Sequence, residues 1–357
     1  NRPEDHAKRY LDSKFAKKNP VVAEANKRAI DAGYNYAANT HQFANTYTIA
    51  PAPLEKGTYR SISGNVATAW GLCAAAEKAG LPLFCGSYPI TPATVILEEL
   101  AKRKDLGVKT VQAEDEIAGI CTAIGAAFAG NFAVTTTSGP GLSLKSEALG
   151  LAVMTELPLV VVDVQRGGPS TGLPTKTEQS DLAQALYGRN GECPVIVVAA
   201  SSPSDCFHYA FEAGRLAMEH MTPVILLTDG FIANGSEPWR IPAMKDYPAI
   251  TPPIVDEAPE GGFMPYVRNE NLARGWAFPG KAGLEHRVGG LEKDCVKGCI
   301  SHDPSNHQKM VRTRAEKVAK AIDDIPAQAV WGAPEGDLLV VGWGGTRGHL
   351  QNAVDQM

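Results

Sequence analysis

The sequence has no long hydrophobic run and no strong excess of charge of either sign. No apolar stretch among its 357 residues reaches the roughly 20 residues that a membrane-spanning helix needs, and the longest, 157–164, has the length of a strand. A net charge of −5 gives no electrostatic basis for binding nucleic acid or an anionic membrane surface. We therefore expect a protein that binds neither nucleic acid nor membrane.

The cysteines do not form a recognisable metal-binding or disulfide pattern. Of the seven, only Cys295 and Cys299 lie close together, as C-x3-C with His302 nearby. A zinc or iron–sulfur site usually needs four ligands with at least one C-x2-C pair, so we predict no metal site in this chain and interpret the pair as ordinary thiols. An odd number of cysteines without pairing fits a reducing cytoplasm.

The central part of the chain alternates helical and strand patterns. This alternation predicts an α/β fold with a doubly wound parallel sheet over residues 59–240. The later apolar runs lack polar alternation, which is typical of parallel strands covered by helices on both faces. Strands are predicted at 81–85, 108–112, 132–136, 157–164, 195–199 and 224–228. Helices are predicted at 64–78, 94–103, 116–129, 143–155 and 203–220.

The flanking segments differ from this core. Residues 1–58 carry helical patterns at 3–18 and 20–38 followed by an extended linker, and residues 241–335 form a Pro- and Gly-rich crossover ending in a helix at 308–322. Residues 336–357 predict a strand at 338–341 and then a helix, the start of a second α/β domain. Because a lone strand–helix unit cannot bury its own faces, we expect the polypeptide to continue beyond these residues and to begin in a preceding domain.

Four unusual segments follow predicted strands of the sheet. Ligands of open parallel sheets bind beyond the carboxyl ends of the strands, so these segments are expected to meet at one edge. They are GSYPITP at 86–92, QAE at 112–114, TSGPG at 137–141 and QRGGPSTGLPTKTEQSD at 165–181.

The last of these segments is the richest in polar groups. Its three glycines and two prolines restrict the backbone, and it presents Arg166, Ser170, Thr171, Thr175 and Lys176. Arginine is suited to bidentate binding of a carboxylate. The alternative is a solvated loop with an ion-paired arginine.

Glu114 lies at a strand end, just before a helix. Its carboxylate is placed there to protonate or hydrogen-bond a heterocyclic nitrogen. The alternative is an acid in the first helical turn that is favoured by the helix dipole, a description that fits Glu116. The TSGPG segment is interpreted as a nest for an anion or oxyanion, or as a tight turn.

Taken together, these motifs resemble a known family. YPITP, Q-x-E, TSGPG and QRGGPSTGLPT, in this order and spacing, resemble the α subunit of 2-oxoacid:ferredoxin oxidoreductases. The longer GLPTKTEQSDL, with GLEH at 283–286 and HQKMVRTRAEKV at 307–318, is similar to the members that act on 2-oxoglutarate. The stretch PVVAEANKRAIDAGYNYA resembles the end of the γ domain that precedes the α domain in fused subunits.

The resemblance implies a cofactor shared between two subunits. Thiamine diphosphate would lie between this chain, which supplies the pyrimidine side, and a β subunit that supplies the diphosphate and Mg²⁺ site and a [4Fe–4S] cluster. Glu114 would hydrogen-bond the pyrimidine N1′, while Thr91 and Arg166 would hold the carboxylate and keto oxygen of the substrate. Further cofactor contacts are implied for Tyr88, Pro89, Ile90, Ser138 and Gly139, and further substrate contacts for Ser170, Thr171, Thr175 and Lys176.

The implied reaction is oxidative decarboxylation of 2-oxoglutarate to succinyl-CoA with coenzyme A and ferredoxin, or the reverse carboxylation. The diphosphate motif Gly-Asp-Gly with a distant Asn is missing: Thr228 precedes Asp229-Gly230, and Asn234 follows too soon. We therefore expect a cytoplasmic subunit that is active only with its β partner, in a dimer of αβ units.

Three questions stay open at this point. The substrate is 2-oxoglutarate or, alternatively, 2-oxoisovalerate or another 2-oxoacid, and Lys176 either binds a second carboxylate or is a solvated charge. Arg347 contacts coenzyme A or the substrate entrance, or forms a surface ion pair. A non-catalytic Rossmann-like scaffold is the alternative from another class, but G-x-G-x-x-G does not follow the first strand.

Overall fold

The N-terminal residues form a helical unit of their own. The computed structural model describes residues 4–41, 45, 47, 49–173 and 176–357. Two units separate between Gly57 and Thr58, and the first contains α1 (Asp5–Leu11), a π-helical turn (Asp12–Ala16) and α2 (Pro20–Thr40). The side chain of Asn19 caps α2 by accepting a hydrogen bond from the amide of Val22. The two predicted helices are present among the described residues, and their origin in a γ-type domain stays a prediction.

The second unit is built on a six-stranded parallel sheet. The strands of the chain are β1 (Tyr59–Ser63), β2 (Leu83–Ser87), β3 (Lys109–Gln112), β4 (Phe132–Thr137), β5 (Leu159–Gln165), β6 (Ile196–Ala199), β7 (Pro223–Asp229), β8 (Ser236–Arg240), β9 (Ile254–Val255) and β10 (Trp276–Ala277). Strands β2 to β7 form the sheet in the order β3-β2-β4-β5-β7-β6, and every neighbouring pair is parallel. The predicted fold class is confirmed.

Helices cover both faces of this sheet. The α-helices described in this unit are α3 (Gly64–Ala79), α4 (Thr94–Ala101), α5 (Glu116–Phe128), α6 (Gly139–Leu144), α7 (Ser146–Thr155), α8 (Leu182–Tyr187), α9 (Asp205–His220), α10 (Gly230–Asn234), α11 (Pro304–Lys320) and α12 (Arg347–Gln356). Alternate strand residues face opposite layers: Val160 and Val162 pack with α3, α4 and α9, whereas Leu159 and Val161 pack with α5 and α7. No helix among the described residues is long and apolar enough to cross a membrane.

The strand order reverses between β2 and β4. The chain passes from β2 to β3 on one side and then returns to place β4 on the other side. A crevice forms at such a reversal, beyond the carboxyl ends of the strands, and ligands of this fold bind there. The four polar segments of the sequence follow β2, β3, β4 and β5, so they share this edge.

A second, small sheet was not predicted. Strands β1 and β8 pair antiparallel, with Tyr59 opposite Arg240 and Ser63 opposite Ser236. This pair fixes the start of α3, which follows β1 directly. Its strands are short and mostly polar, so they carry no clear hydrophobic alternation.

Two other predicted elements differ from the structure. The helix predicted at 143–155 is two helices, α6 and α7, because Gly139 and Pro140 begin a helical turn directly after β4. The strand predicted at 338–341 is wrong: those residues form no strand, and Leu338 and Val341 are exposed. Their strand-like composition is not enough, because a strand needs a neighbour and the described part of the chain provides none there.

The crossover of residues 241–335 packs on the sheet through a buried ionic cluster. Glu156, just after α7, accepts two hydrogen bonds of 2.6 Å from Arg268 and one of 2.5 Å from Lys317 of α11. Burial opposes ionisation of this carboxyl, but the charges of Lys317 and Arg268 outweigh it and hold the pKa of Glu156 well below its usual range.

We expect Glu156→Gln to lower the free energy of unfolding by about 3–5 kcal/mol, because it leaves two cations buried without their anion. Urea unfolding of the full-length protein at pH 7 measures this. Since the pKa of Glu156 is depressed in the folded state, the stabilisation is present above the unfolded pKa of about 4.3 and is lost as the pH falls. The exposed Glu192→Gln is the control, and an equal loss in both variants would contradict the assignment.

Candidate active site

Glu114 lies at the carboxyl end of β3, on a segment held from both sides. The amide of Ala113 donates a 2.7 Å hydrogen bond to the carbonyl of Ser87, at the end of β2. On the other side, Asp115 caps α5 by accepting a 2.8 Å hydrogen bond from the amide of Ala118. The Glu114 side chain itself is exposed, and no described residue hydrogen-bonds its carboxylate. Its backbone is thus fixed while its acid group stays available.

Tyr88 joins the YPITP segment to β4. The side chain is 5% exposed, and its hydroxyl lies 2.9 Å from the hydroxyl of Thr137 and within reach of the Glu116 carboxylate. Burial raises the pKa of Tyr88, which keeps the phenol neutral. A side chain at Gly141 would collide with the hydroxyls of Tyr88 and Thr137, so only glycine fits there. Two of the four segments, GSYPITP and TSGPG, therefore meet at one hydroxyl group, beside the first turn of α5.

Lys145 is a functional candidate that the sequence analysis missed. It is fully buried at the end of α6, and its Nζ donates to the carbonyl of Glu116 at 2.7 Å and to the hydroxyl of Thr135 at 3.3 Å. The ammonium group also lies 4.9 Å from the centre of the Tyr88 ring. Burial lowers the pKa of Lys145 to about 8. A single lysine in an apolar stretch was the only signal in the sequence.

The TSGPG segment is the passage from β4 into α6. Ser138 has an extended backbone and is fully buried, and its hydroxyl has no partner among the described residues. Gly139, Pro140 and Gly141 then make the first turn of the helix. The segment is therefore a strand-to-helix junction at the point where the strand order reverses, and its role in binding an anion stays a prediction.

Arg166 and Thr91 come together, as the sequence analysis expected. Arg166 Nη1 donates a 2.7 Å hydrogen bond to the backbone carbonyl of Thr91, while the Thr91 side chain is exposed. Asn65 of α3 supports the same segment, since its amide donates to the carbonyl of Pro92 at 2.9 Å. The contact links the segment after β2 to the segment after β5.

The other candidate substrate residues of the 165–181 segment are exposed where the structure describes them. Ser170, Thr171 and Lys176 are exposed, and Thr175 lies outside the described residues. The amide of Gly167 donates to the carbonyl of Lys176 at 2.7 Å, which closes the segment into a loop. We call residues 166–181 the substrate loop.

Gln165 fastens the base of the substrate loop and was not singled out from the sequence. The side chain is 1% exposed and uses both ends of its amide. Its Oε1 accepts the amide of Asp181 at 2.9 Å, and its Nε2 donates to the carbonyl of Thr228 on β7 at 2.9 Å. Gln165 thereby joins the far end of the loop to the neighbouring strand.

The segment 343–346 also attaches to this edge. Gln179 of the substrate loop donates to the carbonyl of Trp343 at 2.9 Å. The Asp229 carboxylate, at the end of β7, caps α10 and packs closely against the backbone of Gly345. Arg347, which follows, is exposed and donates to the hydroxyl of Ser201 at 3.1 Å. The start of the predicted second domain therefore packs directly on the substrate loop.

The polar groups at this edge fit the heterocyclic part of a cofactor better than a diphosphate. Among the buried polar atoms there that lack partners in the described residues are Ser138 Oγ, Asn65 Oδ1 and Arg166 Nε. Glu114 adds one available carboxylate. A diphosphate needs a cation, and the described residues contain no group of three or more side chains able to hold a metal ion, Cys295 and Cys299 included.

Comparisons with known proteins agree with this geometry. Residues 75–300 match the family model described as "Pyruvate flavodoxin/ferredoxin oxidoreductase, thiamine diP-bdg". The chain is 56% identical to the 2-oxoglutarate oxidoreductase subunit KorA of Mycobacterium tuberculosis, over 98% of this chain and 53% of that protein. It is 37% identical to the 2-oxoglutarate synthase subunit KorA of Methanothermobacter marburgensis, over 82% of this chain and 76% of that protein.

A solved structure shows the same fold. The 2-oxoglutarate:ferredoxin oxidoreductase from Magnetococcus marinus, with 2-oxoglutarate, coenzyme A and succinyl-CoA bound, aligns with a TM-score of 0.88 and 36% identity. The alignment covers 100% of this chain and 61% of that one. The chain thus spans about half to three quarters of the length of these relatives. It belongs to the pyruvate flavodoxin/ferredoxin oxidoreductase family and carries that family's thiamine-diphosphate-binding domain.

Proposed function

We propose that this chain is the pyrimidine-side part of the α subunit of a 2-oxoglutarate:ferredoxin oxidoreductase. The observation that carries the proposal is the edge at the strand reversal, where an available carboxylate, Glu114, and an Arg166–Thr91 contact share one crevice. The reaction is decarboxylation of 2-oxoglutarate to succinyl-CoA with transfer of electrons to ferredoxin, or its reverse. The similarity to 2-oxoglutarate oxidoreductase and synthase subunits supports this substrate.

The chain's own residues act by binding, orienting and proton handling. The Glu114 carboxylate holds a proton at the ring nitrogen of the aminopyrimidine, and its fixed backbone sets the direction of that hydrogen bond. Arg166 binds the substrate carboxylate with its guanidinium group, which the Thr91 carbonyl orients. Thiamine diphosphate, when bound, supplies the electron sink for loss of carbon dioxide. Tyr88, Thr137 and Lys145 hold the surrounding segments in register.

The remaining parts of the enzyme come from outside these residues. Because the described residues offer no diphosphate motif and no metal-ligand group, the Mg²⁺ and diphosphate site and a [4Fe–4S] cluster belong to a β subunit in this proposal. Residues 1–58 are the end of a γ-type domain, and residues 336–357 begin a further α/β domain. The complete enzyme is a cytoplasmic dimer of αβ units.

The test uses the full-length α subunit purified with its co-expressed β partner. Viologen reduction is followed with thiamine diphosphate, Mg²⁺, coenzyme A and a panel of 2-oxoacids. We expect activity with 2-oxoglutarate and none from the α subunit alone. Activity of the α subunit alone would refute the shared site, and preference for 2-oxoisovalerate would refute the substrate assignment.

Besides Arg166, the described part of the substrate loop contains the cation Lys176, which we assign to the second carboxylate of 2-oxoglutarate. The side chain is exposed, and its backbone carbonyl is fixed by Gly167. We expect Lys176→Met to lower kcat/KM for 2-oxoglutarate by about tenfold, since one charge-assisted hydrogen bond contributes roughly 1.5–3 kcal/mol, with a much smaller effect on 2-oxobutyrate. Kinetics with both substrates measure the difference. Equal losses for both would show that Lys176 does not select the substrate, and the exposed Lys297→Met is the matched control.

A further inference from the structure

A fully buried carboxyl group and a half-buried one lie near each other at the base of the substrate loop. Asp163 lies near the end of β5 and is fully buried, and Asp181 ends the loop where α8 begins. Asp163 pairs across the sheet with Thr137, and the Asp181 carboxylate lies against Gly139, two residues further along the same segment, so the two acids are neighbours that act on each other. No other described group bonds either oxygen of Asp163 or the Oδ2 of Asp181. The two acids therefore have mainly each other as partners.

This arrangement requires a proton. Ionised carboxylates only accept hydrogen bonds, so two of them cannot bond each other, and burying two like charges together is costly. One proton turns the pair into a charge-assisted O–H···O⁻ hydrogen bond, which is among the strong kinds. Burial first, and then the charge of Asp181, raise the pKa of Asp163 well above its usual range, and burial also raises the pKa of Asp181.

The surroundings give the pair no compensating cation. Of the charged groups in the described chain, Glu178 of the substrate loop acts on Asp181, and its effect is to oppose ionisation further. The strand neighbours of Asp163 are Thr137 on β4 and Leu227 on β7, which are uncharged. The first amides of α6 and α8 lie beside Asp181 and favour one negative charge on that carboxyl, but no side-chain cation acts on the pair to favour a second.

The pair lies where two functional segments meet. The Asp181 carboxylate packs against Gly139 of the TSGPG junction so closely that a Cβ there would lie 2.5 Å from an oxygen. The Asp181 amide is held by Gln165, at the other end of the substrate loop. Asp181 is therefore the point where the substrate loop is attached to both β5 and the cofactor-side junction.

We propose that Asp163 and Asp181 share one proton and act as positioning residues that hold the substrate loop, and with it Arg166, against the sheet. The proposal rests on the function proposed above, because it assigns the loop to substrate binding. When the proton is lost, a buried carboxylate at Asp163 and its neighbour at Asp181 repel each other, and the end of the loop separates from β5. The activity of the enzyme therefore falls as the pH rises above the pKa of the pair.

The folded state binds this proton more tightly than the unfolded chain, whose aspartates titrate near 3.9. The free energy of unfolding therefore falls as the pH rises from about 4 through the pKa of the pair. Asp163→Asn supplies a permanent N–H donor to Asp181 and removes the repulsion. The Asp163→Asn variant should keep the substrate loop attached to β5 and should not lose activity at alkaline pH. In Asp163→Ala, the loop should be detached from β5 at every pH.

The experiment measures kcat/KM for 2-oxoglutarate against pH in the full-length enzyme with its β partner. Asp163→Asn should match the wild type at neutral pH and lack its alkaline limb. Asp163→Ala should fall by about 10-fold to 100-fold, the scale expected when a substrate-positioning group is displaced. Asp181→Asn places the amide on the other member of the pair and should show the same pH profile. It provides the test if Asp163→Asn folds poorly. The exposed Asp246→Asn is the control and should keep the wild-type profile.

A second readout does not depend on activity. Lys176 is exposed in the substrate loop, so the rate of trypsin cleavage after Lys176 reports loop release. At every pH, the wild type and the Asp246→Asn control should be cleaved at the same rate. The ratio of the wild-type cleavage rate to that of Asp163→Asn should rise as the pH increases. An identical alkaline limb and cleavage profile in wild type and Asp163→Asn would overturn the proposal. An enzyme inactive on every 2-oxoacid that still shows the cleavage difference would refute the proposed function and leave the shared proton intact.

Discussion

Glu114→Gln should abolish most of the 2-oxoacid-dependent reduction of viologen, lowering kcat by on the order of 10²–10⁴. Glutamine keeps the size and much of the hydrogen-bonding capacity of glutamate but cannot carry the proton or the negative charge. Because the backbone around Glu114 is held by Ala113 and Asp115, the substitution should leave the segment in place. The measurement is turnover of the assembled enzyme at saturating thiamine diphosphate.

The matched control is Glu98→Gln on the exposed side of α4, which should retain wild-type turnover. Cofactor affinity, followed by quenching of tryptophan fluorescence, separates binding from chemistry. A variant that binds the cofactor but does not turn over supports the assigned role. Wild-type turnover in Glu114→Gln would show that another acid serves the ring nitrogen.

Arg166→Ala should lower kcat/KM for the 2-oxoacid by on the order of 10²–10³, since two hydrogen bonds from a cation to a carboxylate contribute about 3–5 kcal/mol together. Removal of the side chain also breaks the contact with the Thr91 carbonyl, and with it the link between two of the four segments. Initial-rate kinetics at varied substrate concentration give the change, most of which should appear in KM.

Arg166→Lys tests whether the charge or the planar group matters. Lysine keeps the charge but cannot make two parallel hydrogen bonds, so we expect an intermediate loss. The exposed Arg287→Ala is the control for loss of a positive charge. Equal kcat/KM in wild type and Arg166→Ala would remove Arg166 from the substrate site.

Much of the catalytic edge could be predicted from the sequence because parallel strands leave a strong signal. β5 is a mostly apolar, fully buried strand, and a polar residue directly after such a run, like Arg166, must lie at the carboxyl end of the sheet. Glu114 follows the short edge strand β3, whose signal is weaker because its residues are mostly polar and exposed. Strand order has no comparable signal, since it depends on which strands pair across the whole domain. The sequence therefore predicted which residues share an edge but not that the reversal falls between β2 and β4.

The residues that the sequence analysis missed are those whose meaning depends on a distant partner. Asp163 interrupts an apolar strand, and only the position of Asp181 shows that it is one half of an acid pair. Lys145 is similar, because its contacts with Glu116 and Thr135 come from other elements. The wrong strand at 338–341 has the converse cause: local composition favours a strand, but pairing is not a local property.

The attachment of residues 343–345 to the substrate loop has a consequence for synthesis of the protein. Gln179 and Asp229 leave the ribosome well before Trp343 and Gly345, which contact them. At a translation rate of roughly 5–20 residues per second, residues 343–345 are synthesised on the order of ten to thirty seconds after the substrate loop. The parallel sheet has time to form in that interval. The substrate loop of each newly made molecule is therefore the last part of this edge to reach its final place.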